Sequence, residues 1–133
     1  MTPPLIALTP PTPEELATGA PAGKCAVETT LRIIGGKWKP MILYRLLGGE
    51  MRFNALHRSL PNVTRRMLTE HLRELEADGI IRREVFAQVP PKVVYSLTPL
   101  GHTLRPVLDQ ILTWGLAYQA QQADMQAERQ AGD

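Results

Sequence analysis

The sequence predicts a mainly α fold with one small antiparallel β hairpin (α+β), and three observations carry that reading. Apolar residues recur at helical spacing over residues 27–75 and again over 104–118. Between residues 81 and 97 the period drops to two on either side of a Pro90-Pro91 loop. Glycines at 35–36, 48–49 and 79 punctuate the boundaries. At 133 residues and 44% hydrophobic content the chain closes one core and little more. The expected organisation is a disordered Pro-rich arm over 1–23, one domain over 24–120, and a polar tail or helix extension over 121–133.

Six of the 12 prolines fall within residues 1–21, in TPP, TPPTP and GAPAG contexts where neither a helix nor a strand ladder is expected. Regular structure is expected from near Cys25, where Val27, Leu31 and Ile34 share a helix face and Gly35-Gly36 ends a first short helix. Trp38, Met41, Ile42, Leu43, Leu46 and Leu47 cover so much of the next helix that it must be the central, buried one, stopped by Gly48-Gly49. Residues 50–53 read as a short extended piece. Phe53, Leu56 and Leu60 then define a brief amphipathic helix ended by Pro61.

The following helix is the best marked. Thr64 is a good N-cap, Val63 and Leu68 stand at the two positions of a hydrophobic staple, and Gly79 suits the left-handed C′ position. Leu68, Leu72 and Leu75 form its apolar stripe, and the other face carries Arg65, Arg66, Thr69, Glu70 and Arg73. Beyond Gly79, Ile81, Arg83 and Val85 alternate with Arg82, Glu84 and Phe86, and Val93, Tyr95 and Leu97 alternate with Val94 and Ser96, giving two strands around the 87–92 loop. Thr98 caps a last helix with Pro99 at its first position, and Pro106 is expected to kink it. The set Leu104, Val107, Leu108, Ile111, Leu112, Trp114, Leu116 and Tyr118 is wider than one core-facing stripe needs. That excess points to a second subunit, with Val27, Leu31, Leu108, Ile111, Trp114 and Tyr118 as the expected dimer interface.

Two helices joined by a tight Pro-Asn-Val connection and followed by a hairpin have the order of a winged helix-turn-helix. Charge placement agrees. The net charge is only +2, yet residues 32–105 hold 13 Lys+Arg against 6 Asp+Glu, a local balance of +7. Arg65 and Arg66 occupy a helix first turn, where the macrodipole makes each cation unfavourable by about 0.3 to 1 kcal/mol. A helix shaped by stability alone would place acids there; one whose N-terminal end enters a DNA major groove would place arginines. The expected DNA-binding set is therefore Thr64, Arg65, Arg66, Thr69 and Arg73 on the helix with Gln88 and Lys92 at the wing, where Arg82 and Arg83 also lie. Simple solvation is the competing reading of these charges.

The stretches CAVETTLRIIGGKWKPMILYRLL, RFNALHRSLPNVTRRMLTEHLRELEADGIIRREVF and VPPKVVYSLTPLGHTLRPVLDQILTWG follow in one order over residues 25–115. Together they resemble the HxlR-type family of bacterial winged-helix regulators. The resemblance implies a homodimer, joined through helices from both ends of the chain, that binds a partly palindromic double-stranded operator. Two departures stand out: Ala26 replaces the proline of the family's frequent Cys-Pro-Val-Glu, and Thr64 replaces a frequent serine cap, which it should match in effect.

Cys25 is the sole cysteine, which rules out an internal disulfide. Some members of that family sense oxidants or electrophiles through a cysteine at the start of the first helix, where Cys25 falls. A helix N-terminus and Lys24 favour the reactive thiolate, while Glu28 disfavours it. Two readings stand, a thiol sensor and a small packing residue that seals the dimer. His57, His71 and His102 lie on different elements without acids at ligand spacing, so neither a metal, a cofactor nor a catalytic constellation is expected. No leader or membrane span is read in the sequence, and a cytoplasmic place is expected. A winged-helix module that binds an acidic protein surface is the second functional reading, and a one-cysteine peroxidase a remote third.

Overall fold

The computed structural model describes residue 8 and residues 10–17 and 21–132, apart from the side chains of residues 16 and 21–24. The described elements are α1 (Pro13–Ala17), α2 (Pro21–Ile34), α3 (Trp38–Leu47), β1 (Met51–Arg52), α4 (Phe53–Ser59), α5 (Arg65–Ala77), β2 (Ile81–Phe86), β3 (Lys92–Leu97), α6 (Pro99–His102) and α7 (Arg105–Ala131). They divide into two compact units, Met1–Thr103 and Leu104–Asp133, with the boundary inside the expected 24–120 domain.

The core of the first unit gathers around α3, as its apolar residues predict. Ile42, Leu43 and Leu46 are buried together with Leu56 of α4, Leu68, Leu72 and Leu75 of α5, and Val94 and Tyr95 of β3. Each such leucine contributes about 1.5 to 3 kcal/mol by leaving water. Helix α5 is fixed at both ends. The Thr64 hydroxyl accepts from the Met67 N–H at 3.0 Å, and Val63 and Leu68 are both buried beside it. At the other end Gly79 takes φ +78, so that the Ile80 and Gly79 N–H groups reach the Leu75 and Glu76 carbonyls at 3.0 Å, a Schellman closure. Glu74 forms an ion pair with Lys39, whose side chain is only 10% exposed, and so ties α5 to α3. The hydrogen bond from Lys39, reinforced by its charge and by His71, holds the Glu74 carboxyl below its ordinary value, against a small opposing effect of burial.

The sheet is antiparallel in the order β1-β3-β2. The predicted hairpin is present, with Arg83 opposite Tyr95 and Phe86 opposite Lys92. The expected extended piece becomes a third strand, pairing Met51 with Tyr95 and Arg52 with Val94. Two residues are too few for a periodicity to announce pairing.

Three expectations need correction. Within the Pro-rich arm, Pro13–Ala17 is helical because Thr12 and Glu15 form a capping box, each backbone N–H meeting the other's side chain at 2.8 and 3.2 Å. Residues 1–7, 9 and 18–20 of the arm lie outside the described residues. Helix α2 starts at Pro21 rather than near Cys25, since a proline is well suited to a first helical position. Pro106 does not kink one long helix; α6 ends at His102 and α7 begins at Arg105, with Pro106 in its first turn. The ring would clash with the carbonyl of His102 and offers no N–H, so the chain restarts instead of bending.

In the second unit, α7 runs without interruption through residues 121–131, so the polar end prolongs the helix. Ile111, Leu112, Trp114, Leu116 and Tyr118 are exposed, Trp114 by 69%, and the Trp114 and Tyr118 rings stack at 5.2 Å. Leu108 is buried, unlike these neighbours. No helix among the described residues is long and apolar enough to cross a membrane.

Candidate nucleic-acid interface

Between α5, the start of α4 and the hairpin the first unit opens a groove of about 830 Å³. Arg52 and Phe53 enter it from the β1–α4 junction and Arg58 from the end of α4; Thr69, Arg73 and Glu76 line it from α5; Arg83, Gln88, Lys92 and Tyr95 line it from the hairpin. Five cations thus face one acid. Among the described residues, the side chains of Arg52, Arg58, Arg73 and Arg83 have no ion-pair or hydrogen-bond partner, while the Lys92 ammonium sits 5.2 Å from the centre of the Phe86 ring. Like charges crowded in this way repel, and folding gains nothing from the arrangement; a polyanion laid in the groove would relieve it.

The geometry of each element explains the lining. Residues 69, 73 and 76 recur along one face of α5, beside the buried leucine stripe, so this polar stripe looks out over the groove. On β2 alternate residues point to opposite faces, which separates Arg83 from Arg82; the latter turns away and pairs with Glu84 at 3.3 Å.

Of the expected DNA-binding residues, Thr69, Arg73, Gln88 and Lys92 are brought together in the groove. Thr69 also donates to the Arg65 carbonyl at 2.8 Å. Thr64, Arg65 and Arg66 lie at the first turn of α5, outside the lining. The Thr64 hydroxyl is occupied by capping, Arg66 is 89% exposed and held loosely by Glu70 at 3.3 Å, and Arg65 donates to Asn54 Oδ1 at 2.8 Å. Arg52 and Arg58 escaped the sequence reading, which sought cations only on the second helix and the hairpin. Their signal is the RFNALHR run itself, two arginines bracketing the first helix of the pair.

Cys25 is exposed and is the fifth residue of α2, past the first turn of the helix. Val27 and Leu31, expected at the interface, are exposed on the same helix. His57 Nε2 lies 2.9 Å from the Val63 carbonyl, closing the turn between α4 and α5. No group of three His, Cys, Asp or Glu among the described residues could hold a metal ion.

Residues 33–123 match a family model described as HxlR-like helix-turn-helix. Over 109 residues the chain is 54% identical to the helix-turn-helix-type transcriptional regulator YdeP of Bacillus subtilis, covering 82% of this chain and 85% of that protein. Among solved structures, the redox regulator HypR in its reduced form aligns with a TM-score of 0.69 at 54% identity, over 71% of this chain and 93% of that one. The reduced form of the transcriptional regulator YodB of B. subtilis aligns with a TM-score of 0.60 at 33% identity, over 65% and 85%.

Proposed function

The chain belongs to the HxlR-like helix-turn-helix family and is a DNA-binding transcriptional regulator, not an enzyme; from that premise we propose that it reads a specific operator as a homodimer. Helix α5 enters the major groove with Arg66, Thr69 and Arg73, and the basic groove beside it seats a phosphate strand on Arg52, Arg58, Arg83 and Lys92. The observation that supports this best is the set of groove arginines without protein partners. The exposed apolar residues of α2 and α7 exceed what a small monomer leaves in water and suit a self-complementary interface. A cytoplasmic place of action follows from the target.

The test is a titration of duplex DNA at rising salt. If both protomers engage their groove cations, affinity falls by about 10³-fold or more between 50 and 200 mM salt. A salt-insensitive complex, or preferential binding to an acidic protein in excess DNA, would favour the protein-interaction reading.

A response through Cys25 is the finer part of the proposal. It is supported by the exposed thiol and by the likeness to HypR, a redox regulator by its description. Oxidant treatment is expected to modify Cys25 and change operator affinity, and Cys25→Ser to keep binding while losing the response. An equal shift in Cys25→Ser would return Cys25 to a packing role.

A further inference from the structure

Arg65 is the one cation of the α5 first turn that the chain itself engages strongly. Its Nη1 donates to Asn54 Oδ1 at 2.8 Å, and its guanidinium carbon lies 5.8 Å from the centre of the Phe53 ring. The Phe53 ring in turn lies 6.4 Å from His57, nearly parallel to it, and 6.4 Å from Tyr95 of β3, tilted by 50°. Tyr95 pairs with Met51 on one side and Arg83 on the other. A continuous path therefore runs from the first turn of α5, through the start of α4, to the central strand of the wing sheet. A charge-assisted hydrogen bond and a cation–π contact also offset the unfavourable place of this cation at a helix N-terminus.

We propose that Arg65 is a positioning residue that sets the pitch of α5 against α4 and the wing, and so determines operator specificity without reading a base. The inference rests on the DNA reading above. Its basis is the difference between neighbours: Arg66 is nearly free in solvent and Arg73 has no partner, whereas Arg65 is held on two sides. Base-reading geometry tolerates little misplacement, so a small change in helix pitch weakens the specific complex more than the non-specific one.

The experiment compares the full chain with Arg65→Ala, Asn54→Ala and the double variant. Each is titrated with an operator selected from random duplexes and with non-specific duplex over a salt series. Arg65→Ala is expected to lower the ratio of specific to non-specific affinity by about fivefold, and Asn54→Ala, which leaves the Phe53 contact in place, by a smaller factor. The double variant should do no worse than Arg65→Ala, because both changes remove the same hydrogen bond. The salt slope of non-specific binding should stay unchanged. A slope lowered by about one unit in Arg65→Ala alone would make Arg65 a phosphate contact and overturn the proposal; so would a loss of preference at a single base pair, or independent effects that multiply in the double variant. A second arm needs no DNA: amide exchange at Met67 and Leu68, in the first turn of α5, should quicken by about threefold or more in Arg65→Ala and equally in the double variant, and by less in Asn54→Ala. Unchanged exchange would remove the tie. Absence of DNA binding by the wild type would instead overturn the DNA reading, with the exchange arm judging the tie separately.

Discussion

The Arg66→Ala, Arg73→Ala double variant is expected to lose about 2 to 6 kcal/mol of operator affinity while its thermal stability changes little. Each arginine that pairs with a base edge contributes about 1 to 3 kcal/mol of discrimination. The two stand seven residues apart on α5, about 10 Å along the axis, far enough for their effects to add. Neither supports the fold: Arg73 has no partner among the described residues, and the Arg66–Glu70 pair is an exposed i,i+4 bridge, worth little at the surface. Glu70 is also cheap to displace when DNA arrives. The measurement is a pair of titrations, operator and non-specific duplex, alongside a thermal melt. An operator affinity within twofold of wild type would remove both residues from the reading face.

A large stability effect is expected at Gly101. A Cβ there would lie 2.2 Å from the carbonyl oxygen of Ile80 and 3.2 Å from its carbon. That oxygen cannot yield easily, because it already accepts from the Thr98 N–H and hydroxyl, both at 3.0 Å. Gly101→Ala should therefore cost about 2 to 5 kcal/mol, overpacking together with one or two lost hydrogen bonds. Thr98→Ala removes the cap without a clash and should cost less, about 0.5 to 2 kcal/mol. Denaturant midpoints order the two. A milder effect of Gly101→Ala than of Thr98→Ala would mean that the β3–α6 junction relaxes freely.

Part of the molecule is legible in the sequence and part is not. The hairpin and the cap at Thr64 follow from local rules of spacing and hydrogen bonding, and they appear as read. The pairing of Met51 with Tyr95 depends on a partner distant in sequence, which no local pattern encodes. The helix at Pro13–Ala17 is a different case. Its Thr-Pro-Glu-Glu start is a local signal that was present and was outweighed by the surrounding prolines. In the candidate interface, the α5 stripe could be read because charge and periodicity coincide there, whereas Arg52 and Arg58 join the groove only through the packing of α4 beside the wing. The separation of Arg83 from Arg82 is strand alternation, visible in principle once the wing's inner face is known.

The central claim is that α5 and the adjoining groove read duplex DNA as part of a two-fold assembly. Selection of binding sites from a pool of random duplexes by the full chain tests it most directly. The expected product is a partly palindromic sequence whose half-site centres lie about one helical turn, or a multiple of it, apart, retained at salt that releases non-specific duplex. A pool that stays random after repeated rounds, or enriches an asymmetric site bound by one protomer, would contradict the account.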